Sequence, residues 1–227
     1  QYMTKFNSDW INILEGLRAI IIGIENIHDA NIIHRDIHSG NILTDGTVRT
    51  TICDLGLCKS STESSSEDIY GVIPYMAPEI FQRQTYTMAS DIYSFGVIMW
   101  EVVTRRRPFW YRSHDTELII DICNGLRPQI FADVPEGYVN LMQLCWDNEP
   151  NKRPTAVDIS EKLVQMRNNE VDHRTEVKIP SDIGPNTNNS GAIYSSRLLT
   201  GTTNSAMSLI CIVQFVTRFA DLKIHIN

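Results

Sequence analysis

The sequence predicts a mainly α-helical fold with one small β-hairpin. Apolar residues recur at helical spacing in the first thirty positions and again after Ser90, which indicates several amphipathic helices. Between these regions, one Asp-Gly pair separates two short apolar runs, a pattern typical of a hairpin turn. The 227 residues are 42% hydrophobic and 21% charged, which is enough apolar material to bury one sizeable core.

The first predicted element is a helix that runs to about His28, with Ser8 or Asp9 as its amino-terminal cap. Its apolar positions follow the i, i+3, i+4 spacing of a helix face that packs on a core. These positions are Trp10, Ile13, Leu14, Leu17, Ile20, Ile21, Ile24 and Ile27. We therefore expect one continuous apolar stripe along this helix.

The predicted hairpin joins residues 42–44 to residues 48–53 through Asp45 and Gly46. A Ser-rich stretch, residues 60–68, follows and is predicted as loop. After Ser90 the apolar spacing indicates helices only. They are expected at about residues 91–104, 116–124, 137–147 and 155–168.

The last part of the sequence has a different character. Residues 181–190 (SDIGPNTNNS) are polar and contain Pro and Gly, which predicts disorder. Short apolar runs at 193–199 and 209–216 have no evident partner elements. The sequence therefore predicts a folded unit over residues 1–168 and a low-complexity, disordered tail over residues 169–227.

Charge and composition limit the expected partners. The formal net charge is 20 − 27 = −7, which argues against nonspecific nucleic-acid binding. The longest apolar stretch, residues 207–220, is too short to span a bilayer. Five scattered cysteines, an odd number with no CxxC pair, favour reduced thiols over a disulfide framework. We expect a cytoplasmic protein without a nucleic-acid or membrane partner.

The segment HRDIHSGNIL, residues 34–43, carries the residue types that phosphoryl transfer needs. A carboxylate must orient the acceptor hydroxyl and take its proton, and oxygen ligands must hold Mg²⁺ against the phosphates. Asp36 and Asn41 lie on one tight loop that Gly40 allows to turn. Asp54, thirteen residues beyond Asn41 in CDLGL, ends a predicted strand and is placed as a second Mg²⁺ ligand.

Simpler explanations exist for each of these residues taken alone. Asp36 could be a loop cap, and Asp54 could be a turn residue at a strand end. His34 and His38 are four residues apart and could suggest a zinc pair, although Gly40 disfavours the helix that such a pair requires. The combination and spacing of the motifs favour the phosphoryl-transfer interpretation.

The motifs occur in the order found in one enzyme family. HRD-x-x-x-x-N is followed by D-L-G, by A-P-E at residues 77–79, by DIYSFGVIMWE at 91–101 and by CWDNEPNKRPT at 145–155. Over residues 1–168 the chain resembles the carboxyl-terminal lobe of eukaryotic protein kinases. Its motif sequences are similar to those of the tyrosine-kinase-like group. The resemblance implies a protein-kinase-like fold with only the helical lobe. It also implies ATP and Mg²⁺ as cofactors and a protein as substrate.

The resemblance assigns roles to individual residues. It implies that Asp36 is the catalytic base and that Asn41 and Asp54 bind Mg²⁺ and so hold the nucleotide. His38 stands where serine/threonine kinases usually have a catalytic Lys, and its imidazole could donate a hydrogen bond to a phosphate oxygen. The hydroxyl specificity implied is for Ser or Thr rather than Tyr, although Val72 replaces the Thr that usually contacts that Lys.

Further residues take structural or regulatory roles by the same resemblance. His34 is expected to pack against the metal-binding segment, and Asp91 to hold the catalytic loop backbone. Glu79 and Arg153 are expected to form a buried ion pair. Arg35, beside the catalytic Asp, is expected to pair with a phosphate on the activation segment between residues 57 and 76.

The amino-terminal lobe of the family has no counterpart in this sequence. No G-x-G-x-x-G and no V-A-I-K-like segment precedes His34, so a full nucleotide site is expected to need that missing lobe. The sequence therefore predicts a protein kinase that transfers the ATP γ-phosphate to a protein hydroxyl. The alternative is a catalytically inactive lobe, or pseudokinase, that acts as a protein-binding module.

Overall fold

The computed structural model describes residues 9–44, 50–61, 68–130, 134–173 and 189–224, with the side chains of 170–173 and 213–224 left aside. The helices in these residues are α1 (Trp10–Asp29), α2 (Pro78–Phe81), α3 (Met88–Thr104), α4 (Thr116–Cys123), α5 (Glu136–Cys145), α6 (Ala156–His173) and α7 (Thr200–Ile224). The strands are β1 (Ile32–Ile33), β2 (Ile42–Thr44), β3 (Thr50–Ile52), β4 (Lys59–Ser60), β5 (Tyr70–Gly71) and β6 (Arg197–Leu198). The predicted mainly α-helical fold class is confirmed, since helices predominate and each strand has only two or three residues.

Helix α1 forms as its sequence predicts. The Asp9 carboxylate accepts a hydrogen bond from the Ile11 N–H at 2.9 Å and so caps the first turn. The predicted apolar stripe is buried except at Ile27, which is half-buried. This face packs on α6 and β3, and the Trp10 ring meets Tyr138 of α5 edge-on at 5.1 Å.

Helix α3 is the centre of the core. Every residue from Ser90 to Thr104 is buried, so this helix is enclosed on all sides rather than amphipathic. Gly96 allows α5 to approach closely, because a Cβ at this position would lie 2.8 Å from the Cβ of Cys145. The four helices predicted after Ser90 correspond to α3, α4, α5 and α6. The short helix α2 was not predicted.

The strands of the described residues form three antiparallel pairs. β2 pairs with β3 with Ile42 opposite Ile52, as the hairpin prediction requires, and the first two residues of the predicted second strand lie outside the described residues. The Asp45-Gly46 turn and most of the Ser-rich stretch lie outside the described residues. β1 pairs with β4, and β5 pairs with β6. These two-residue strands are too short to produce a periodic sequence signal.

The prediction of a disordered tail from residue 169 is wrong for the part of the tail that the structure describes. Helix α6 continues to His173, β6 pairs with β5, and α7 packs on α4. Leu199, Thr203 and Ala206 are fully buried in these contacts. The apolar run at 193–199 therefore has partners in distant parts of the sequence, from 79 positions away for the contact of Ile193 with His114 to 131 for the contact of Thr200, the next residue, with Ile69. Most of the polar stretch 181–190 is outside the described residues.

Among the described segments, no helix combines the length and the apolar character that crossing a membrane requires.

Candidate active site

The catalytic-loop backbone is held by a buried carboxylate from α3. Asp91 accepts hydrogen bonds from the N–H groups of His34 at 2.8 Å and Arg35 at 2.9 Å. A third donor, Nε2 of His28 at the end of α1, lies 3.0 Å from the same carboxylate. The prediction that Asp91 holds this loop is confirmed. Its three partners come from two separate segments, so the loop is fixed to both α1 and α3.

His34 connects the catalytic loop to the strand that precedes Asp54. Its Nδ1 accepts a hydrogen bond from the Asp36 N–H at 3.3 Å, and its Nε2 donates to the Cys53 carbonyl at 3.3 Å. This network assigns the neutral Nε2–H tautomer. Both ring nitrogens are engaged, which argues against the zinc-pair alternative. His34 thus packs, as expected, against the segment that leads to Asp54.

Asp36 and Asn41 form a buried pair. The Asn41 amide donates from Nδ2 to the Asp36 carboxylate at 3.2 Å and to the Asp36 carbonyl at 3.0 Å. A single turn of 3₁₀ helix, Ser39–Asn41, brings the two residues together. Because both acceptors face Nδ2, the Asn41 amide oxygen is turned away from Asp36. The loop thus offers a carboxylate on one side and an uncharged oxygen ligand on the other.

His38 lies beside the same carboxylate. Its Nδ1 accepts from the Gly40 N–H at 3.1 Å, so the proton belongs on Nε2, which lies 3.6 Å from the Asp36 carboxylate. Gly40 makes this arrangement possible, because a Cβ there would lie 2.6 Å from Cε1 of His38. The structure therefore places the N–H of His38 next to Asp36, where a phosphate oxygen could accept its hydrogen bond.

Asp54 lies next to a backbone hydrogen bond that joins the loop of Asn41 to the end of β3. The Cys53 N–H donates to the Asn41 carbonyl at 2.9 Å, and Asp54 is the residue after Cys53. Asp54 has the left-handed backbone φ of 62°, and its exposed carboxylate accepts from the Gly56 N–H at 3.3 Å. A non-glycine residue in this conformation is uncommon and occurs often at functional sites.

The oxygen atoms of Asn41 and Asp54 fit Mg²⁺. This ion prefers carboxylate and carbonyl oxygens, takes one or two protein ligands and keeps other positions for water and phosphate. No cluster of three or more His, Cys, Asp or Glu that could hold a metal occurs in the described residues. Asn41 is buried and Asp54 is exposed, so the two expected oxygen ligands are one enclosed amide and one solvent-facing carboxylate, a set of oxygen donors that Mg²⁺ accepts.

Comparison with known proteins identifies the family. A family model described as protein tyrosine and serine/threonine kinase matches residues 4–163. The chain belongs to this kinase family. It is 39% identical over 161 residues to stress-activated protein kinase alpha of Dictyostelium discoideum, which is 64% of this chain and 25% of that protein. It is 35% identical over 153 residues to dual specificity protein kinase shkC of the same organism, at 64% and 30%.

A third relative comes from Acanthamoeba polyphaga mimivirus and has the words serine/threonine-protein kinase and receptor in its name. It is 36% identical over 160 residues, which are 70% of this chain and 10% of that protein. The chain thus spans less than a third of the length of each of these three relatives. The kinase motifs of this chain lie in residues 34–155.

An ion pair buried below the kinase site joins α2 to the segment before α6. Arg153 binds Glu79 through both guanidinium nitrogens, at 2.6 and 2.8 Å. Both side chains are almost fully buried. The predicted pair is confirmed. It connects the end of the activation segment to the helical core.

Arg35 points towards the activation segment of the kinase. Its guanidinium carbon lies 4.1 Å from the centre of the Tyr86 ring. Both residues line a cavity of about 220 Å³ together with Lys59 and Tyr70. Two cationic side chains and one carboxylate, that of Asp68, therefore line this cavity. The two cations are groups that bind a phosphate, whereas the carboxylate would repel it. The serines and threonine at 62–66 that could carry it lie outside the described residues.

Sequence reasoning missed a polar group below the kinase loop. The Tyr75 hydroxyl donates to the Glu101 carboxylate at 2.5 Å and lies 3.0 Å from the Ser39 hydroxyl. Burial is the main cause that raises the pKa of Glu101, and the hydrogen bond from Tyr75 opposes it. Nothing in the local sequence marks Glu101, because it lies inside a fully buried helix and meets Tyr75 only in the tertiary structure.

Proposed function

We propose that this chain supplies the catalytic and metal-binding part of a protein kinase that transfers the ATP γ-phosphate to a Ser or Thr hydroxyl of a protein. The observation that carries the proposal is the buried cluster of Asp36, His38 and Asn41, with Asp54 on the adjoining segment. A loop with a purely structural role would not need the N–H groups of both Asn41 and His38 beside the Asp36 carboxylate, or the amide oxygen of Asn41 next to them. The names of the relatives support the same reaction.

The chemistry follows from the positions of these side chains. Asp36 orients the acceptor hydroxyl and takes its proton, while Asn41 keeps the carboxylate in place. The His38 N–H donates to an oxygen of the phosphoryl group that is transferred. The oxygens of Asn41 and Asp54 would hold Mg²⁺, which neutralises phosphate charge when it is bound. The adenine-binding wall and the phosphate-covering loop have no counterpart among the described residues.

The finer classification is also a proposal. The sequences of the motifs support the tyrosine-kinase-like group. The name of the mimivirus relative supports Ser/Thr specificity, although His38 and Val72 replace the Lys and Thr that are usual in serine/threonine kinases. One relative is named a dual specificity kinase, so Tyr is the alternative acceptor. The use of ATP and the five free cysteines favour the cytoplasm. We place the kinase domain proper at residues 1–168.

The test is titration calorimetry of the whole chain with Mg²⁺-ATP. We expect saturable binding that weakens at least tenfold (about 1.4 kcal/mol) in Asp54→Asn. The matched control is Asp29→Asn, an equally exposed carboxylate at the end of α1, which should bind as the wild type does. No binding at millimolar nucleotide would contradict a catalytic role for this chain and favour the protein-binding alternative.

A further inference from the structure

One segment, residues 189–200, lies across the surface next to the active site. We call it the strap. Its first part is attached to the loop between α3 and α4. The Asn189 N–H donates to the Trp110 carbonyl at 3.0 Å, and the His114 N–H donates to the Gly191 carbonyl at 2.9 Å. The strap is therefore bound to this loop by backbone hydrogen bonds and not only by apolar contact.

Side chains strengthen the same attachment. The Tyr194 hydroxyl donates to the Pro108 carbonyl at 3.0 Å, and its ring meets the His114 ring edge-on at 4.8 Å. The Arg107 guanidinium lies 4.7 Å from the centre of the Tyr194 ring. Further along, the Arg197 guanidinium donates to the His114 carbonyl at 2.7 Å.

The second part of the strap adds a strand to the end of the activation segment. In the β5–β6 pair, Tyr70 is opposite Leu198 and Gly71 is opposite Arg197. The Leu199 N–H donates to the Ile69 carbonyl at 2.7 Å, and the Ile69 N–H donates to the Thr200 hydroxyl at 3.0 Å. Backbone groups from residue 69 to residue 71 are thus paired with the strap.

This strand is next to the catalytic carboxylate. Gly71 precedes Val72, and Val72 lines one small cavity together with Asp36 and Tyr75. Gly71 has a φ of 151°, and a Cβ there would lie 2.7 Å from the Met76 sulfur, so this position of the edge favours glycine. An extended protein segment that brings a hydroxyl to Asp36 must pass this edge. Strand edges bind such segments through their open backbone groups.

We propose that residues 69–71 form a strand-addition surface that the strap occupies, and that the strap competes there with an extended segment of the protein substrate. The competition rests on the proposed kinase function, whereas the docking of the strap does not. The strap presents a buried Leu199 and the Thr200 hydroxyl to this surface, while the Arg197 side chain donates to the His114 carbonyl. A competing segment of the same chemistry has the pattern Arg-x-Leu-Thr.

The two neighbouring leucines of the strap allow a matched test. Leu199 is 1% exposed, whereas Leu198 is 53% exposed on the same strand. A fluorescein-labelled synthetic peptide of residues 189–202 serves as the probe in fluorescence anisotropy with the full chain. We expect Leu199→Ala to loosen the strap, so that the peptide binds at least tenfold more tightly than to the wild type. Leu198→Ala should bind the peptide as the wild type does. Equal affinity for all three proteins would overturn the proposal.

Thr200→Val is the second variant, in case Leu199→Ala does not fold. It removes the hydroxyl that accepts from the Ile69 N–H but keeps the size of the side chain. Hydrogen exchange of the Ile69 and Leu199 amides is its readout. We expect exchange at least threefold faster than in the wild type, with unchanged protection in α3. Unprotected amides at 69 and 199 in the wild type would show that the strap is not docked.

A phosphoryl-transfer assay separates this proposal from the proposed function. If both hold, Leu199→Ala lowers the KM for a peptide substrate while Leu198→Ala leaves it unchanged. If no protein transfers phosphate but the anisotropy and exchange results are as expected, the strap docks and the kinase proposal fails. Transfer with the same KM in all three proteins would overturn the competition.

Discussion

At the scale of single residues, the buried carboxylate of Glu101 under the catalytic loop has the clearest consequence. It is 3% exposed, and the Tyr75 hydroxyl is its hydrogen-bond partner in the described structure. Burial raises its pKa above the ordinary value of 4.5, with Arg107 and His38 among the groups that oppose the shift. The protonated form is therefore favoured in the folded state relative to the unfolded state.

A raised pKa in the folded state determines the direction in which the free energy of unfolding changes with pH. The contribution of Glu101 is fully present below pH 4.5 and is lost as the pH rises through the folded pKa. The Glu101→Gln variant keeps an acceptor for Tyr75 but cannot ionise. We predict that its free energy of unfolding increases relative to that of the wild type as the pH rises through this range. Urea unfolding of both proteins from pH 4.5 to 7.5 measures the difference. A difference that is constant with pH would contradict the prediction.

At the scale of elements, the ion pair between α2 and the segment before α6 connects parts of the chain that are 74 positions apart. The Arg153 guanidinium also donates to the Ala89 and Asp147 carbonyls at 2.9 Å each. Removal of Arg153 leaves the Glu79 carboxylate and two carbonyls buried without this partner. The decrease in the free energy of unfolding is larger than the net stabilisation by the intact ion pair, because an uncompensated buried charge remains.

We predict that Arg153→Ala lowers the free energy of unfolding by about 3–5 kcal/mol, as expected when one partner of a buried pair is removed. The control is the adjacent Lys152→Ala. Lys152 forms an exposed pair with Glu149 at 2.8 Å, in which the side chains are 56% and 67% exposed. Solvent screens such a pair, so its loss should leave the denaturation midpoint unchanged. Similar midpoints for both variants would show that the buried pair does not connect these elements.

At the scale of the whole molecule, His114 joins the strap to the helical core. Its Nδ1 lies 2.8 Å from the Ile193 carbonyl oxygen and 3.1 Å from the Ile193 nitrogen, and its Nε2 lies 3.3 Å from the Phe109 carbonyl oxygen. Burial lowers the pKa of His114 below its ordinary value of 6.5. Hydrogen bonds with the Ile193 and Phe109 backbone and the charge of Asp115 oppose this shift, whereas nearby Arg197 adds to it.

Acid should therefore release the strap before it unfolds the core. A lowered pKa means that the stabilising effect of neutral His114 is present above pH 6.5 and is lost as the pH falls through the folded pKa. We predict that hydrogen exchange at Ile193, corrected for the intrinsic rate, rises below pH 6.5 by up to about tenfold per pH unit. His114→Gln should show no such rise. The same rise in both proteins would assign the effect to another group.

The sequence by itself determined the helices, the family motifs and the order of the site residues. Helix α1 was predictable because its cap and its apolar stripe are encoded within twenty residues. Asp36, His38 and Asn41 were predictable because they lie on one short loop whose spacing limits their positions. Glu79, Arg153 and Asp91 required the family resemblance in addition, because each contacts a distant segment.

Only the tertiary structure decided the rest. The tautomers of His34 and His38 depend on partners that the fold selects, and Glu101 meets Tyr75 only because α3 passes below the catalytic loop. The strap contacts Ile69 over 131 positions of sequence through a hydrogen bond, and strands of two residues carry no periodic signal. Local spacing specifies elements and short loops, whereas pairing across such distances depends on which surfaces the packed core leaves open.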